Sequence, residues 1–235
     1  MKKESKNIQY KQRNILVWNE VAPYYHKRWA REEVGPFNVT NELIKLSKIK
    51  SGDCVLDLAC GTGLVTKKIT RKVGKNGIIY AIDTSKTAIN IAKKWVGMKE
   101  NLHFIIADAE TIQFNTKFDA ITCQYALFFF PNAQKVLKNL KKILKKNGMI
   151  TMSVHSKTNV PYFDSILNPV KKFIPDYLPK YPELDRFGTT KSFKEEFVKA
   201  GYQKIVVKKL LYHCLLYTSD AADEGLGVDL GGRRI

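Results

Sequence analysis

The chain has no apolar run approaching the ~20 residues that span a bilayer, and its opening, Met1-Lys2-Lys3-Glu4-Ser5, lacks the apolar segment that follows the basic residues of a signal peptide. Neither a membrane span nor export is expected, and the default location is cytoplasmic. Cysteine is scarce: Cys54, Cys60, Cys123 and Cys214 form no Cys-x-x-Cys pair. Cys54, Cys60 and Cys123 lie in or beside apolar runs, where a thiol packs as a small hydrophobe, so neither disulfides nor a metal site is expected. Arginine is scarce as well. Only 7 of the 40 basic residues are Arg, although the formal net charge is +18. Arginine supplies the bidentate contacts to phosphate and guanine, and the lysines (Lys67 and Lys68, Lys93 and Lys94, Lys138 to Lys146) are spread along helix faces. General surface basicity is favoured over a nucleic-acid footprint.

Lysine disappears altogether after His213. The segment from Cys214 to Glu224, and then Gly227 to Ile235, closely resembles the in-frame translation of a sequencing-library adapter. Residues 214–235 are therefore expected to be a non-native tail and are set aside from fold reasoning.

At 235 residues the chain is long enough to bury one sizeable core. Helical spacing runs from Asn7 to Ala30 with an interruption at Pro23, and a second helix is expected from Pro36 to Ser47. Then strands and helices alternate: strand Cys54–Leu58, helix Gly63–Val73, strand Ile78–Ile82, helix Ser85–Val96 and strand Leu102–Ile106. Strand Phe118–Gln124 follows, then a helix from Asn132 to Lys146 stopped by Gly148, and strand Met149–Val154. These strands are short continuous apolar runs, as expected when helices cover both faces of a parallel sheet, so the fold class is doubly wound α/β. Beyond His155 the spacing predicts a helix from Val160 to Phe173, an irregular loop to Gly188, a helix from Ser192 to Ala200 with Gly201 at C′, and an edge strand from Gln203 to Leu211. No linker divides the chain. Residues 1–50 read as a helical cap, 51–213 as the main domain with an insert at 156–188, and 214–235 as the tail.

The stretch Val55-Leu-Asp-Leu-Ala-Cys-Gly-Thr-Gly63 is a strand, a tight turn and the start of a helix, a junction that brings bare backbone close to a nucleotide-like ligand. It is not a full dinucleotide fingerprint, because Thr66 stands where the third glycine would fall. Instead, acids end three successive strands: Asp57, Asp83 and Asp108. Such a crevice suits a cation better than a pyrophosphate. Singly, each acid also reads as a helix cap, Asp83 for the helix near Ser85 in particular.

With Ala107-Asp-Ala-Glu110, Phe118-Asp-Ala-Ile-Thr122, Phe129-Phe-Pro-Asn132 and Leu144-Lys-Lys-Asn-Gly148, this stretch resembles the class I S-adenosylmethionine-dependent methyltransferases, and among them the ubiquinone/menaquinone-biosynthesis group. The resemblance spans Trp18 to Leu210. It implies a Rossmann-like sheet, S-adenosyl-L-methionine as cofactor and methyl transfer, and it is not specific for the substrate. The aromatics of the N-terminal helices and of the 156–188 insert suggest a lid over a small, partly apolar molecule, and read equally as packing of the insert onto the sheet. It implies that Asp57 and the backbone of Ala59, Cys60, Gly61 and Gly63 hold the methionine part, that Asp83 with Thr84 or Ser85 takes the ribose, and that Asp108 and Ala109 meet the adenine. Gln124 and Tyr125 would line the methyl side, and Tyr25 and Trp29 would cap the cofactor. The family's proline before the glycine of Leu144–Gly148 is missing, and its last strand, expected after Leu211, is absent. No catalytic residue is fixed by these motifs; His155, Tyr125 and His26 are the candidates for a general base. The rival readings are an RNA or protein methyltransferase, prompted by the charge, and a non-catalytic cofactor-binding protein. Against RNA, the fourth strand runs into Gln124-Tyr-Ala-Leu127 and not into the Asn/Asp-Pro-Pro-aromatic motif of amino-group nucleic-acid methylases.

Overall fold

The structure, a computed structural model, describes residues 2–155 and 187–210. Helix α1 (Lys2–Tyr25) runs into a π-helical turn (His26–Ala30), followed by a 3-10 turn (Gly35–Val39) and helix α2 (Thr40–Ser47). Strands β1 (Cys54–Leu58), β2 (Ile78–Asp83), β3 (Leu102–Ile106), β4 (Phe118–Gln124) and β5 (Leu144–Ser153) alternate with helices α3 (Leu64–Val73), α4 (Lys86–Val96) and α5 (Ala133–Ile143). Helix α6 (Thr190–Lys199) comes last. All pairings are parallel, in the order β3-β2-β1-β4-β5. The sheet grows outward from β1 to both sides, which makes the carboxyl ends of β1 and β4 the switch point where such sheets bind ligands.

Period-two side-chain alternation explains the two cores. Val55, Ile79 and Ala120 face one side, where they pack with Leu43 and Ile44 of α2, Ile69 and Val73 of α3, and Ile89 of α4. Leu56, Ile82 and Ile121, each an odd number of residues on from a member of that set, face the other side against Val136 and Leu140 of α5. A third cluster seats α6 on α5 through Leu137, Phe187 and Phe197, and the Tyr202 hydroxyl donates to the Leu137 carbonyl at 2.9 Å. Burying such side chains contributes on the order of 2 kcal/mol each. The chain is therefore the expected doubly wound α/β fold.

Four local expectations are corrected. Pro23 does not interrupt the first helix, which runs through it and ends at Tyr25. The second helix begins with a 3-10 turn at Gly35–Val39 and becomes α-helical only at Thr40. The helix expected to reach Lys146 stops at Ile143, and Gly148 lies inside β5 and stops nothing. Leu144 is already extended because it pairs with Phe118, and an irregularity between Phe118 and Ala120 takes up the extra residues before Met149. Asp119 holds this bulge by accepting from the Lys145 ammonium at 2.7 Å and from the Cys54 N–H at 2.9 Å. A side chain at Gly148 would come within 2.9 Å of Leu144 and of the Phe118 carbonyl, which is the reason for glycine there. Finally, residues 203–210 form no strand: their alternation finds no neighbour among the described residues, and Val206 is 89% exposed. The Val160–Phe173 helix, nearly all of the 156–188 insert, Leu211 and the 214–235 tail lie outside the described residues.

Candidate functional site

A cavity of about 1210 Å³, counting the open space at its mouth, lies over the carboxyl ends of β1, β2 and β4. Its floor is the β1–α3 turn. Ala59 at φ 54° and Gly61 at φ 54° both adopt left-handed backbone, so two residues in three turn the chain sharply under the cavity. Left-handed backbone is strained for alanine, at about 1–3 kcal/mol, and such strain collects at functional sites. A Cβ at Gly61 would meet nothing within 4 Å, so a ligand can approach bare backbone there. Gly63 differs. It turns its α-carbon to α4, where a Cβ would meet Val96 at 2.8 Å and Ala92 at 3.0 Å, and it does not line the cavity.

The three strand-end acids are placed unequally. Asp57 is 1% exposed, and its two carboxylate oxygens accept from the Thr66 hydroxyl at 2.5 Å and the Thr122 hydroxyl at 2.8 Å. Burial pushes its pKa up to about 6 against the pull of those two hydrogen bonds. Thr66, the residue that breaks the dinucleotide fingerprint, is thus the partner that holds Asp57. Asp83 accepts from the Gly61 N–H at 2.9 Å and the Ser85 N–H at 2.8 Å, locking the glycine turn to the end of β2. Burial raises its pKa. The cap of α4 is Ser85, whose hydroxyl accepts from the Ala88 N–H, and not Asp83. Asp108 receives the Lys11 ammonium at 2.8 Å and the Glu110 N–H at 2.8 Å. All three acids line the cavity, and each already carries protein partners: Asp57 two hydroxyls, Asp83 two backbone N–H groups, and Asp108 the Lys11 ammonium with the Glu110 N–H.

The roof is α1. Lys11, Asn14, Ile15, Trp18, Ala22 and Tyr25 recur at helical spacing on the face that closes the cavity. Two polar anchors fasten this helix. Lys11 bridges Asp108 and the buried Glu110 at 2.8 and 2.7 Å, and Glu110 also accepts from both the backbone and side-chain nitrogens of Asn132. Burial alone lowers the Lys11 pKa, but its hydrogen bonds to Asp108 and Glu110 outweigh that and raise it. Farther along, the Asn19 carbonyl accepts from the Ser85 hydroxyl at 2.8 Å and the Thr87 N–H at 3.1 Å. An aromatic wall completes the roof: Trp18 meets Tyr25 and Phe129 edge-on at 5.3 and 5.7 Å, and Tyr25 meets Phe37 at 5.4 Å.

Of the residues expected from sequence, Asp57, Ala59, Cys60, Gly61, Asp83, Thr84, Ser85, Asp108, Gln124, Tyr125 and Tyr25 line the cavity. Ala109 is buried in the core instead, and Trp29 stands behind Tyr25 at 4.9 Å, so neither reaches the wall. Cys60 is buried, which with the charges of Asp83 and Asp57 raises its thiol pKa well above the usual range. Tyr125 sits at φ 52°, a strained backbone for a large residue, at the end of β4. His155 stacks flat against Tyr125 at 4.3 Å, behind it as seen from the cavity, and the protein around it lowers its pKa. His26 lies on Trp95 at 4.7 Å, away from the cavity. Among the described residues no cluster of three His, Cys, Asp or Glu side chains is placed to hold a metal, and no helix is long and apolar enough to cross a membrane. Sequence reasoning missed Lys11, Asn14, Trp18, Phe37 and Phe129; the inward periodicity of α1 was the available signal for three of them.

Three comparisons agree with this geometry. Residues 49–197 match the family described as a methyltransferase domain. The ubiquinone/menaquinone biosynthesis C-methyltransferase of Hydrogenovibrio crunogenus is 27% identical over 208 residues, covering 81% of this chain and 78% of that protein. The demethylmenaquinone methyltransferase of Lactobacillus johnsonii is 25% identical over 210 residues, covering 83% and 86%. Among solved structures, an S-adenosylmethionine-dependent methyltransferase from Aquifex aeolicus shares the fold at 19% identity, with a TM-score of 0.56 over 73% of this chain and 86% of that one.

Proposed function

The chain belongs to the methyltransferase domain family, and from that premise we propose which residues hold its cofactor and what class of molecule it methylates. It is an S-adenosylmethionine-dependent methyltransferase. The residues fit that cofactor: the open face of Gly61 admits an extended ligand against backbone, and Asp83 offers its carboxylate beside the turn. When bound, the cofactor supplies an electrophilic methyl group on a sulfonium. Asp83 accepts the ribose hydroxyls and in the same geometry keeps the Gly61 N–H fixed. Asp57 acts from beneath, as a buried charge steadied by Thr66 and Thr122, and the turn from Ala59 to Gly61 seats the methionine portion. Asp108 lies at the base end. Gly63 serves by letting α3 approach α4, and Trp29 by backing Tyr25.

The substrate is a small, partly apolar molecule. The observation that carries this is the aromatic wall of Trp18, Tyr25, Phe37 and Phe129 facing Gln124 and Tyr125 across the cavity. The named relatives, which act in ubiquinone and menaquinone biosynthesis, support it. Excluding water and holding the accepting atom roughly 3 Å from the methyl carbon supplies much of the rate of an in-line displacement. Gln124 and Tyr125 are the residues on the methyl side that line the cavity. His155 acts through Tyr125 by stacking flat on its ring at 4.3 Å, and the protein around it lowers its pKa. No dedicated base is required by this arrangement.

The test is transfer of labelled methyl from S-adenosylmethionine into a cell extract, followed by fractionation. Label in a solvent-extractable small-molecule fraction is the expected result. Label in RNA or protein would overturn the substrate class, and cofactor binding without any transfer would overturn turnover itself.

A further inference from the structure

On the inward face of α1, the side-chain nitrogen of Asn14 is buried in the cavity wall and makes no hydrogen bond among the described residues. Buried donors are nearly always satisfied, so an orphan amide that lines a ligand cavity is a donor waiting for a ligand acceptor. Its position is fixed from both sides. Three residues before it, Lys11 is tied to Asp108 and Glu110 beyond β3; five residues after it, Asn19 is tied to Ser85 and Thr87 beyond β2. The helix thus holds Asn14 over the crevice between the ends of β2 and β3. The aromatic residues Trp18 and Tyr25, farther along α1, lie instead toward Phe129 and Phe37, on the substrate side.

We propose that Asn14 is a specificity-determining residue of the cofactor site: its carboxamide donates a hydrogen bond to an acceptor nitrogen of the purine ring, reading the base from the roof side. This rests on the placement of S-adenosylmethionine given above, with the ribose at Asp83 and the base at Asp108. Lys11, the other polar α1 side chain near the base end, is spent on its two carboxylates. The inference also gives Lys11 and Asn19 a purpose. They are positioning residues, holding the helix turn that carries Asn14 at a constant height over the base.

The experiment is calorimetric binding of S-adenosylhomocysteine and its 1-deaza, 3-deaza and 7-deaza purine analogues to wild type, Asn14→Leu and Asn14→Asp. Leucine keeps the volume and removes the donor; aspartate replaces the donor by an acceptor. A matched buried hydrogen bond corresponds to roughly tenfold to hundredfold in affinity. Both variants should therefore bind the parent compound that much more weakly. One deaza analogue should bind wild type more weakly by a similar factor yet lose little further on Asn14→Leu, the non-additivity expected of two groups in contact. Equal affinity of wild type and Asn14→Leu for the parent compound would overturn the inference while leaving the cofactor site standing, as would losses that simply add for all three analogues. No binding of the parent compound to wild type would instead overturn the cofactor placement itself. Circular dichroism on the variants separates unfolding from lost recognition, and Asn14→Gln, which restores a donor one methylene farther out, should recover part of the affinity.

Discussion

The floor and the roof of the cavity are built on different principles. The floor is made of residues close in sequence, from Asp57 to Thr66, bound to the adjacent strand ends by hydrogen bonds at 2.5–2.9 Å. The roof is one face of a helix more than thirty residues earlier in the chain, fastened by Lys11 at one end and Asn19 farther along. In the floor, strained backbone at Ala59 and buried charge at Asp57 are sustained because every neighbour is fixed by the sheet. In the roof, helix α1 leaves Ile8, Leu16 and Val17 exposed on its outer side and rests on helix α4, not on the sheet hydrogen-bond ladder. The difference is one of cooperativity: disturbing the floor should unfold the sheet end, whereas disturbing the roof should open the cavity and leave the fold intact.

The largest expected effect lies in the floor. Gly63→Val forces a β-branched residue into φ 93° and against Val96 and Ala92, which are 2.8 and 3.0 Å from an added Cβ. Backbone strain and overpacking together should cost about 4 kcal/mol, visible as a large fall in Tm. A folded variant of unchanged Tm would show that the floor is more compliant than its packing suggests.

Next comes the buried acid. The pKa of Asp57 is raised from 3.8 to about 6, so between those values the folded state holds a proton that the unfolded chain has released. Stability contributed by this group is therefore present below pH 4 and falls as the pH rises through 6, by up to roughly 3 kcal/mol. Asp57→Asn should flatten urea-measured stability across that window. An unchanged slope would mean that the two threonines compensate the charge completely.

Asp83→Ala removes the acceptor of the Gly61 and Ser85 N–H groups and should destabilise by about 2 kcal/mol, with cofactor affinity falling more steeply than Tm. Equal affinity in calorimetry would remove Asp83 from the ribose role. The smallest effect belongs to the roof. Lys11→Met should cost only about 1 kcal/mol, because Asp108 is 28% exposed to solvent and Glu110 keeps both Asn132 donors. Amide exchange in α1 should nevertheless accelerate while that of β1 and α3 is unchanged. Acceleration in both would break the contrast between the two regions.

This contrast also explains what was legible beforehand. Strands β1, β3 and β4 have the bounds expected from sequence because each is an apolar run with a covered face on both sides, and the turn after β1 announces itself by two glycines. Asp83 and Asp108 were visible as acids at strand ends. Their partners were not, since Lys11 reaches Asp108 across 97 residues and no local pattern encodes such a pairing. The end of α5 was misplaced for the same reason. Helical spacing continues past Ile143, but Leu144 gains a strand partner in Phe118, and the sheet wins over local propensity. Edge strand 203–210 failed in the opposite direction, having the alternation without a neighbour to pair with.

The sequence by itself determined the layer architecture, the glycine turn and the chemical character of the strand ends, because these depend on side-chain periodicity and on residues within one turn of each other. The tertiary structure alone decided what each acid is bonded to at the cavity wall: Thr66 and Thr122 hold Asp57, Lys11 engages Asp108, and the Gly61 and Ser85 N–H groups hold Asp83. It also alone brought α1 over the site, with an unpartnered amide at Asn14 and an aromatic wall beside it. Hydrogen-bond partners and burial are properties of how distant segments meet, and they are fixed only when the sheet has gathered those segments at one edge.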